Sequence, residues 1–199
     1  MKVAIMGAGL VGTSLAKALI AAGHEVMLSS REPGGSRMQK IIAELGERAR
    51  AGTIAETLDY SEVVAVAMDW DAIPEVVVQG DWSNKIIIDM SNRMGDTNSP
   101  ALEMARLTRG RVVKAFNTIG AEHYTNPKFN GEAATMFIAG DDARAKSIVA
   151  ELTRSIGFDV IDAGDLQAAR YLEMLAGFWG HLSFRAGHGR AIAFRLLKR

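Results

Sequence analysis

The 199-residue sequence predicts an α/β fold: a doubly wound, mostly parallel sheet with a C-terminal helical extension. Short apolar runs alternate with helical or turn-rich stretches along most of the chain, the rhythm of strands joined by crossover helices. Several runs are apolar throughout, as in IIIDM at 86–90, which suits strands covered on both faces. The first run also passes through a glycine turn straight into a helical pattern, the strand-turn-helix opening of a Rossmann-type domain.

In chain order, Lys2 to Met6 reads as a β-rich run ending at glycine, and a helical pattern follows from Val11 to Ala22. Gly23 closes that helix, where glycine adopts a left-handed conformation cheaply. Glu25 to Ser29 is a second strand. Residues 31–37, REPGGSR, read as an irregular loop that is unordered without ligand, because two adjacent glycines follow a proline. A helix is expected over 38–51, then strands at 63–68, 85–90, 111–116 and 134–139. GDDARAKSIVAELTRSIGF supplies a turn and a helix ending at Gly157, Asp159–Asp162 a last strand, and 166–184 a mostly apolar helix before the tail RAIAFRLLKR.

Composition narrows the function classes. Apolar residues make up 48%, enough for a sizeable core, and 23 basic residues balance 23 acidic ones, so no global field draws nucleic acid or an anionic membrane. Without cysteine there is no disulfide, thiolate nucleophile or cysteine-ligated cluster. The apolar runs are too short to cross a bilayer. The opening stretch does not fit a secretion signal either, since Gly7, Gly9, Gly12, Thr13, Ser14 and Lys17 break its apolar run and no cleavage pattern follows. A cytoplasmic protein is expected.

Gly7-Ala8-Gly9-Leu10-Val11-Gly12 is GxGxxG, a weak signal alone but stronger between a strand and a helix. Gly7 permits a tight turn, Gly9 lets backbone approach a pyrophosphate, and Gly12 lets the helix pack on the strand. Free N–H groups at the helix start suit the phosphates. Residues 1–199 are therefore expected to form a single NAD(P)-binding domain. NAD sites usually carry a carboxylate at the end of the second strand, but this chain has Ser29, Ser30 and Arg31 there. Two hydroxyls and a guanidinium suit the 2′-phosphate of NADP(H), and Arg37 is placed to close over it. Glu32 is expected to point to solvent.

Ligands in such sheets collect at the carboxyl ends of the strands. Those ends read Met68-Asp69-Trp70, Ser91-Asn92-Arg93 and Asn117-Thr118-Ile119-Gly120. Met68, Asp69, Trp70, Asn92, Asn117, Thr118 and Ile119 are thus cofactor-binding candidates, although a tryptophan such as Trp70 more often packs. The four histidines match no metal-site spacing, no metal is expected, and no acid or base stands out. Hydride transfer between two cofactors needs none, only juxtaposed rings, with Asn117 and Thr118 orienting them.

GAGLVGTSLAKALIAAGHEVMLSSREP, VVKAFNTIGAEHYTNPKF and MFIAGDDARAKSIVAELTRSIGFDVIDAGDLQAARYLEMLA together resemble the NADPH-dependent coenzyme F420 reductases. The same blocks are similar to the reductase domain of the STEAP metalloreductases. The resemblance implies hydride exchange between NADPH and a deazaflavin, with Ser30 and Arg31 on the 2′-phosphate, Gly7 to Gly12 on the pyrophosphate, and Asn117, Thr118 and Ile119 beside the stacked rings. It also implies that 166–199, the C-terminal helix and tail, complete the second cofactor's pocket, and that the protein is a homodimer. Archaeal members carry GGTGNLG at the turn and a histidine where Asn117 stands, so the deazaflavin half departs from their pattern. FMN or FAD is the alternative hydride partner. A non-catalytic NADPH sensor or partner subunit, and a reductase of a small imine or carbonyl, are the rival readings.

Overall fold

A computed structural model describes residues 1–93 and 98–199. β1 (Lys2–Met6) leads through the glycine turn into α1 (Leu10–Ala21), followed by β2 (Glu25–Ser29), α2 (Ser36–Leu45) and β3 (Ala49–Gly52). α3 (Ile54–Tyr60) crosses to β4 (Val63–Val66). Then come α4 (Ile73–Val77), β5 (Ile86–Asp89), α5 (Pro100–Thr108) and β6 (Arg111–Lys114). A hairpin of β7 (Lys128–Phe129) and β8 (Glu132–Ala133) precedes β9 (Thr135–Gly140), α6 (Ala143–Ser155), β10 (Asp159–Asp162) and α7 (Ala169–Gly180). α7 runs on into a wider turn, His181–Arg185.

Eight strands form one sheet in the order β10-β9-β6-β5-β4-β1-β2-β3. Its described ladders are parallel except where β9 runs against β6. The fold is therefore the doubly wound α/β arrangement with a C-terminal helix. Period-two alternation within the strands splits the core into two layers. Val3, Ile5, Ile86 and Ile88 face one layer with Leu15, Leu19 and Val149, whereas Ala4, Met6 and Ile87 face the other with Leu58, Ile73 and Met104. The unbroken apolar run of β5 is thus used on both sides. Each such isoleucine contributes about 1.5–3 kcal/mol on burial.

Three sequence expectations need correction. The helix expected over 38–51 stops at Leu45, because Gly46 takes a left-handed φ of 84°. Residues 49–52 then pair with β2 as an edge strand, although ARAG has little strand propensity; register with β2 overrides it. Ser36 and Arg37 belong to the first turn of α2 and not to the preceding loop. The 166–184 segment is composite, since Leu166–Ala168 forms a tight separate turn before α7.

β9 diverges from β6, and their pairing covers only Val113–Gly140 and Lys114–Ala139. The tail fills the space left at the start of β9. Thr135 N–H donates to the Phe194 carbonyl at 2.9 Å, and Leu196 N–H to Thr135 Oγ1 at 3.0 Å. Further back, Arg190 forks onto Glu122 at 2.6 and 2.8 Å, and its guanidinium lies over the rings of Trp179 and Phe184. The Trp179 indole N–H donates to the Ile192 carbonyl at 2.9 Å.

Hydrogen bonds from Arg190 pull the Glu122 carboxyl down from the usual carboxylate range to about 2. A depressed folded-state value means that the latch is complete above the unfolded value and is lost as pH falls through the folded one. Acid titration of tryptophan fluorescence should therefore show a transition centred near pH 2 from release around Trp179. Glu122→Gln should lack that step and should be cut faster by trypsin after Arg190 at neutral pH. Identical titrations of the two proteins would rule out the latch.

Candidate functional site

The sheet order reverses between β1 and β4, and the carboxyl ends of the strands open there into a cleft of about 890 Å³. Gly7, Ala8, Gly9, Leu10 and Val11 line its floor, Ser29, Ser30, Arg31 and Arg37 one end, and Met68, Asp69 and Met90 the other.

The floor follows from two contacts that exclude side chains. Gly7 has φ 107°, and a Cβ there would lie 2.5 Å from the Ala67 carbonyl oxygen. A Cβ on Gly12 would lie 2.1 Å from the carbonyl oxygen of Gly7, so α1 can approach β1 this closely only at a glycine. Gly9 differs: no protein atom comes within 4 Å of a Cβ built there, so the space beside its backbone is left open to a ligand. Gly9 also starts α1 with no side-chain cap, and the first turn holds no acidic residue. By contrast, Thr53 and Glu56 box the start of α3, and Asp142 caps α6. The α1 start therefore keeps its N–H groups and partial positive charge for an anion.

At the end of β2, Ser29 is buried and its Oγ accepts the Gly7 N–H at 3.0 Å, tying the second strand to the turn. Its hydroxyl proton remains to donate. Ser30 N–H donates to the Gly52 carbonyl at 2.9 Å, and Ser30 Oγ accepts the Glu32 N–H at 3.1 Å. β3, absent from the sequence reading, thus fixes the end of β2. Arg31 is exposed and makes no ion pair among the described residues. Arg37 reaches back over the floor, its Nη2 donating to the Ala8 carbonyl at 3.2 Å. Glu32 is exposed on the rim, with its carboxylate against Gly35.

The remaining candidates divide. Met68 and Asp69 line the cleft, whereas Trp70 is buried in the second apolar layer and Gly12 serves packing. Asn92, Asn117, Thr118 and Ile119 are not among the lining residues. Asn117, Thr118 and Ile119 are buried, and the Asn117 amide is engaged at its nitrogen: Nδ2 donates to Asn92 Oδ1 at 3.1 Å and to the Leu172 carbonyl of α7 at 3.0 Å. Asn92 Nδ2 returns a bond to the Asn117 carbonyl. Just before, Phe116 takes a left-handed φ of 59°, an uncommon conformation for an aromatic residue, with its carbonyl held by the Tyr124 hydroxyl at 2.6 Å.

The sequence reading missed a buried charge cluster behind these strand ends. Asp89 and Lys114 are fully buried, 2.9 Å apart, on paired positions of β5 and β6. Glu173 of α7 joins Lys114 at 3.4 Å. The signal was one charged residue inside each apolar strand, IIIDM and VVKAF. Among the described residues no group of three metal-ligating side chains occurs, and no helix is long and apolar enough to cross a membrane.

Residues 2–93 match the profile of the family described as NADP oxidoreductase, coenzyme F420-dependent. The chain is 32% identical over 181 residues to the metalloreductase STEAP3 of Rattus norvegicus, covering 87% of itself and 36% of that protein. It is 28% identical over 186 residues to human STEAP2, covering 87% and 35%. It thus spans about a third of the length of these curated relatives. The crystal structure of an Arthrobacter sp. FB24 protein, proposed to be an F420-dependent NADP reductase, superposes with a TM-score of 0.88 at 28% identity over the whole of both chains. An imine reductase of Streptomyces aurantiacus shares the fold, with a TM-score of 0.69 at 19% identity over 92% of this chain and 64% of that one.

Two alanine substitutions separate the structural glycine from the open one. Gly12→Ala should lower the urea midpoint by an amount worth about 1–3 kcal/mol, because backbone must move. Gly9→Ala should leave the midpoint nearly unchanged yet weaken NADP(H) binding by roughly tenfold, since the new methyl enters the ligand space. Equal effects of the two on stability would contradict this division.

Proposed function

We propose that this chain, whose residues 2–93 match the profile of the coenzyme F420-dependent NADP oxidoreductases, is an NADPH-dependent reductase exchanging hydride between NADPH and a deazaflavin of the F420 type. Flavin, as FMN or FAD, is the alternative acceptor. The observation that carries the nucleotide half is Arg31, exposed and without an ion-pair partner among the described residues, at the β2 end where an NAD site would place a carboxylate. Arg31 and the Ser30 hydroxyl hold the 2′-phosphate, and Arg37 releases Ala8 to join them. The N–H groups at the α1 start receive the pyrophosphate, and the open space at Gly9 lets it come close.

The nicotinamide half then extends toward Met68, Asp69 and Met90 at the strand ends. Asn117 and Thr118 act there indirectly, as the orienting support beneath α7, with Ile119 and Asn92 completing that support. NADPH supplies the hydride and the second cofactor accepts it; the chain binds, orients and keeps water away. Hydride transfer of this kind needs juxtaposed rings and no general acid, so Asp69 in the cleft lining is assigned no proton-transfer role. The 166–199 segment borders the second cofactor. A cytoplasmic homodimer is part of the same reading. Tyr171, Met174 and Phe178, exposed at helical spacing along α7, support the homodimer.

Arg31→Ala should weaken NADPH binding by roughly 10- to 100-fold, the worth of hydrogen bonds to a charged group, and leave NADH binding within about twofold. Calorimetric titration of both nucleotides checks this, and equal losses would refute the assignment. Mixing the protein anaerobically with NADPH and oxidised F420 should bleach the deazaflavin's visible absorbance. Turnover with FMN or FAD but not the deazaflavin would select the flavin version, and turnover with none would leave a nucleotide sensor.

A further inference from the structure

Lys114 does more than neutralise Asp89. Its Nζ contacts the Asp89 carboxylate at 2.9 Å and also donates to the Ser91 carbonyl. Asp89 in turn accepts the Ser91 N–H at 2.9 Å and the Ser91 hydroxyl at 2.6 Å. The residue enclosed by this ring of bonds is Met90, which lines the inner end of the cofactor cleft. On its other side Lys114 meets Glu173 Oε1 of α7, an atom that also takes the Ser99 hydroxyl at 2.9 Å at the start of α5. The next residue back on α7, Leu172, is the one held by Asn117.

A fully buried ion pair is often no more stabilising than apolar side chains of the same volume, so stability alone is a poor reason for this cluster. Its geometry is better explained by placement. We propose that Lys114 is a positioning residue that holds Met90 against the nicotinamide end of the cleft and locks α7 in register with it. The proposal rests on the NADPH reading of that cleft. Through this clamp, the helix assigned to the second cofactor and the residue at the inner end of the cleft are set by one ammonium group.

The test titrates the intact chain with two ligands: NADPH, and 2′,5′-ADP, which carries the adenine-side half alone. Wild type should bind both, and binding of neither would take down the NADPH reading and this proposal with it. Lys114→Met should hold 2′,5′-ADP within about twofold, weaken NADPH about tenfold, and change the fluorescence of the bound reduced nicotinamide. Glu173→Gln leaves the Lys114–Asp89 pair in place, so it decides the matter if Lys114→Met fails to fold. It should change the nicotinamide fluorescence in the same sense, with a roughly two- to threefold weaker NADPH affinity. Equal loss of both ligands, or unchanged NADPH affinity and fluorescence in the folded variants, would overturn the proposal.

Discussion

The contact on which the rest of the site depends is that of Gly12 with the carbonyl of Gly7. Glycine inside a helix costs about 1 kcal/mol against alanine, so propensity argues against Gly12 in α1. The alternative is a Cβ 2.1 Å from a carbonyl oxygen, which no side-chain adjustment relieves. Sterics win, and α1 lies close against β1. That closeness aims the helix start at the cleft and fixes the turn. It also brings Gly7 N–H to Ser29, so that the second strand ends where a ribose phosphate would lie.

The strand-turn-helix cradle was legible in the sequence because its determinants are local. Strand, turn and helix are contiguous, and the ribose end lies on the next strand, so spacing along the chain equals spacing in the fold. Arg31 could be singled out without coordinates for that reason. β3 could not, because ARAG becomes a strand only by pairing with β2, and its part in holding Ser30 is a backbone bond invisible in residue types. The β7–β8 hairpin went unread for a similar reason, with two residues per strand and no alternating pattern.

The strand-end half was less legible because its determinants are distant pairings. Asp89 and Lys114 lie 25 residues apart, and only parallel register makes them neighbours. Glu173 arrives from α7, much farther along the chain. Taken singly, each charge looks like an interruption in an apolar segment. Taken together they neutralise one another in part and occupy three elements at once. Asn117, three residues past β6, shows the same effect: its amide nitrogen donates to Asn92 and to Leu172 of α7, partners that no local spacing reveals.

The two sides of the site differ in how freely they can change. The nucleotide cradle is built from backbone and two short segments, and its geometry leaves little freedom around Gly7 and Gly12. The far side is built from α7, fastened to the sheet through Leu172 and Glu173, and from a tail held by separable contacts at Glu122, Trp179 and Thr135. Substitutions along α7 or the tail can reshape this far side without touching the turn, provided the two anchors stay. The left-handed Phe116 sits at the boundary between these halves, its carbonyl held by Tyr124 from below. Burial drives the Tyr124 hydroxyl's pKa up, so it remains a proton donor and the bond that supports this strained residue persists across the working pH range. The strain is thus carried on the sheet side, while α7 is fastened to the same strand ends through Leu172 and Glu173.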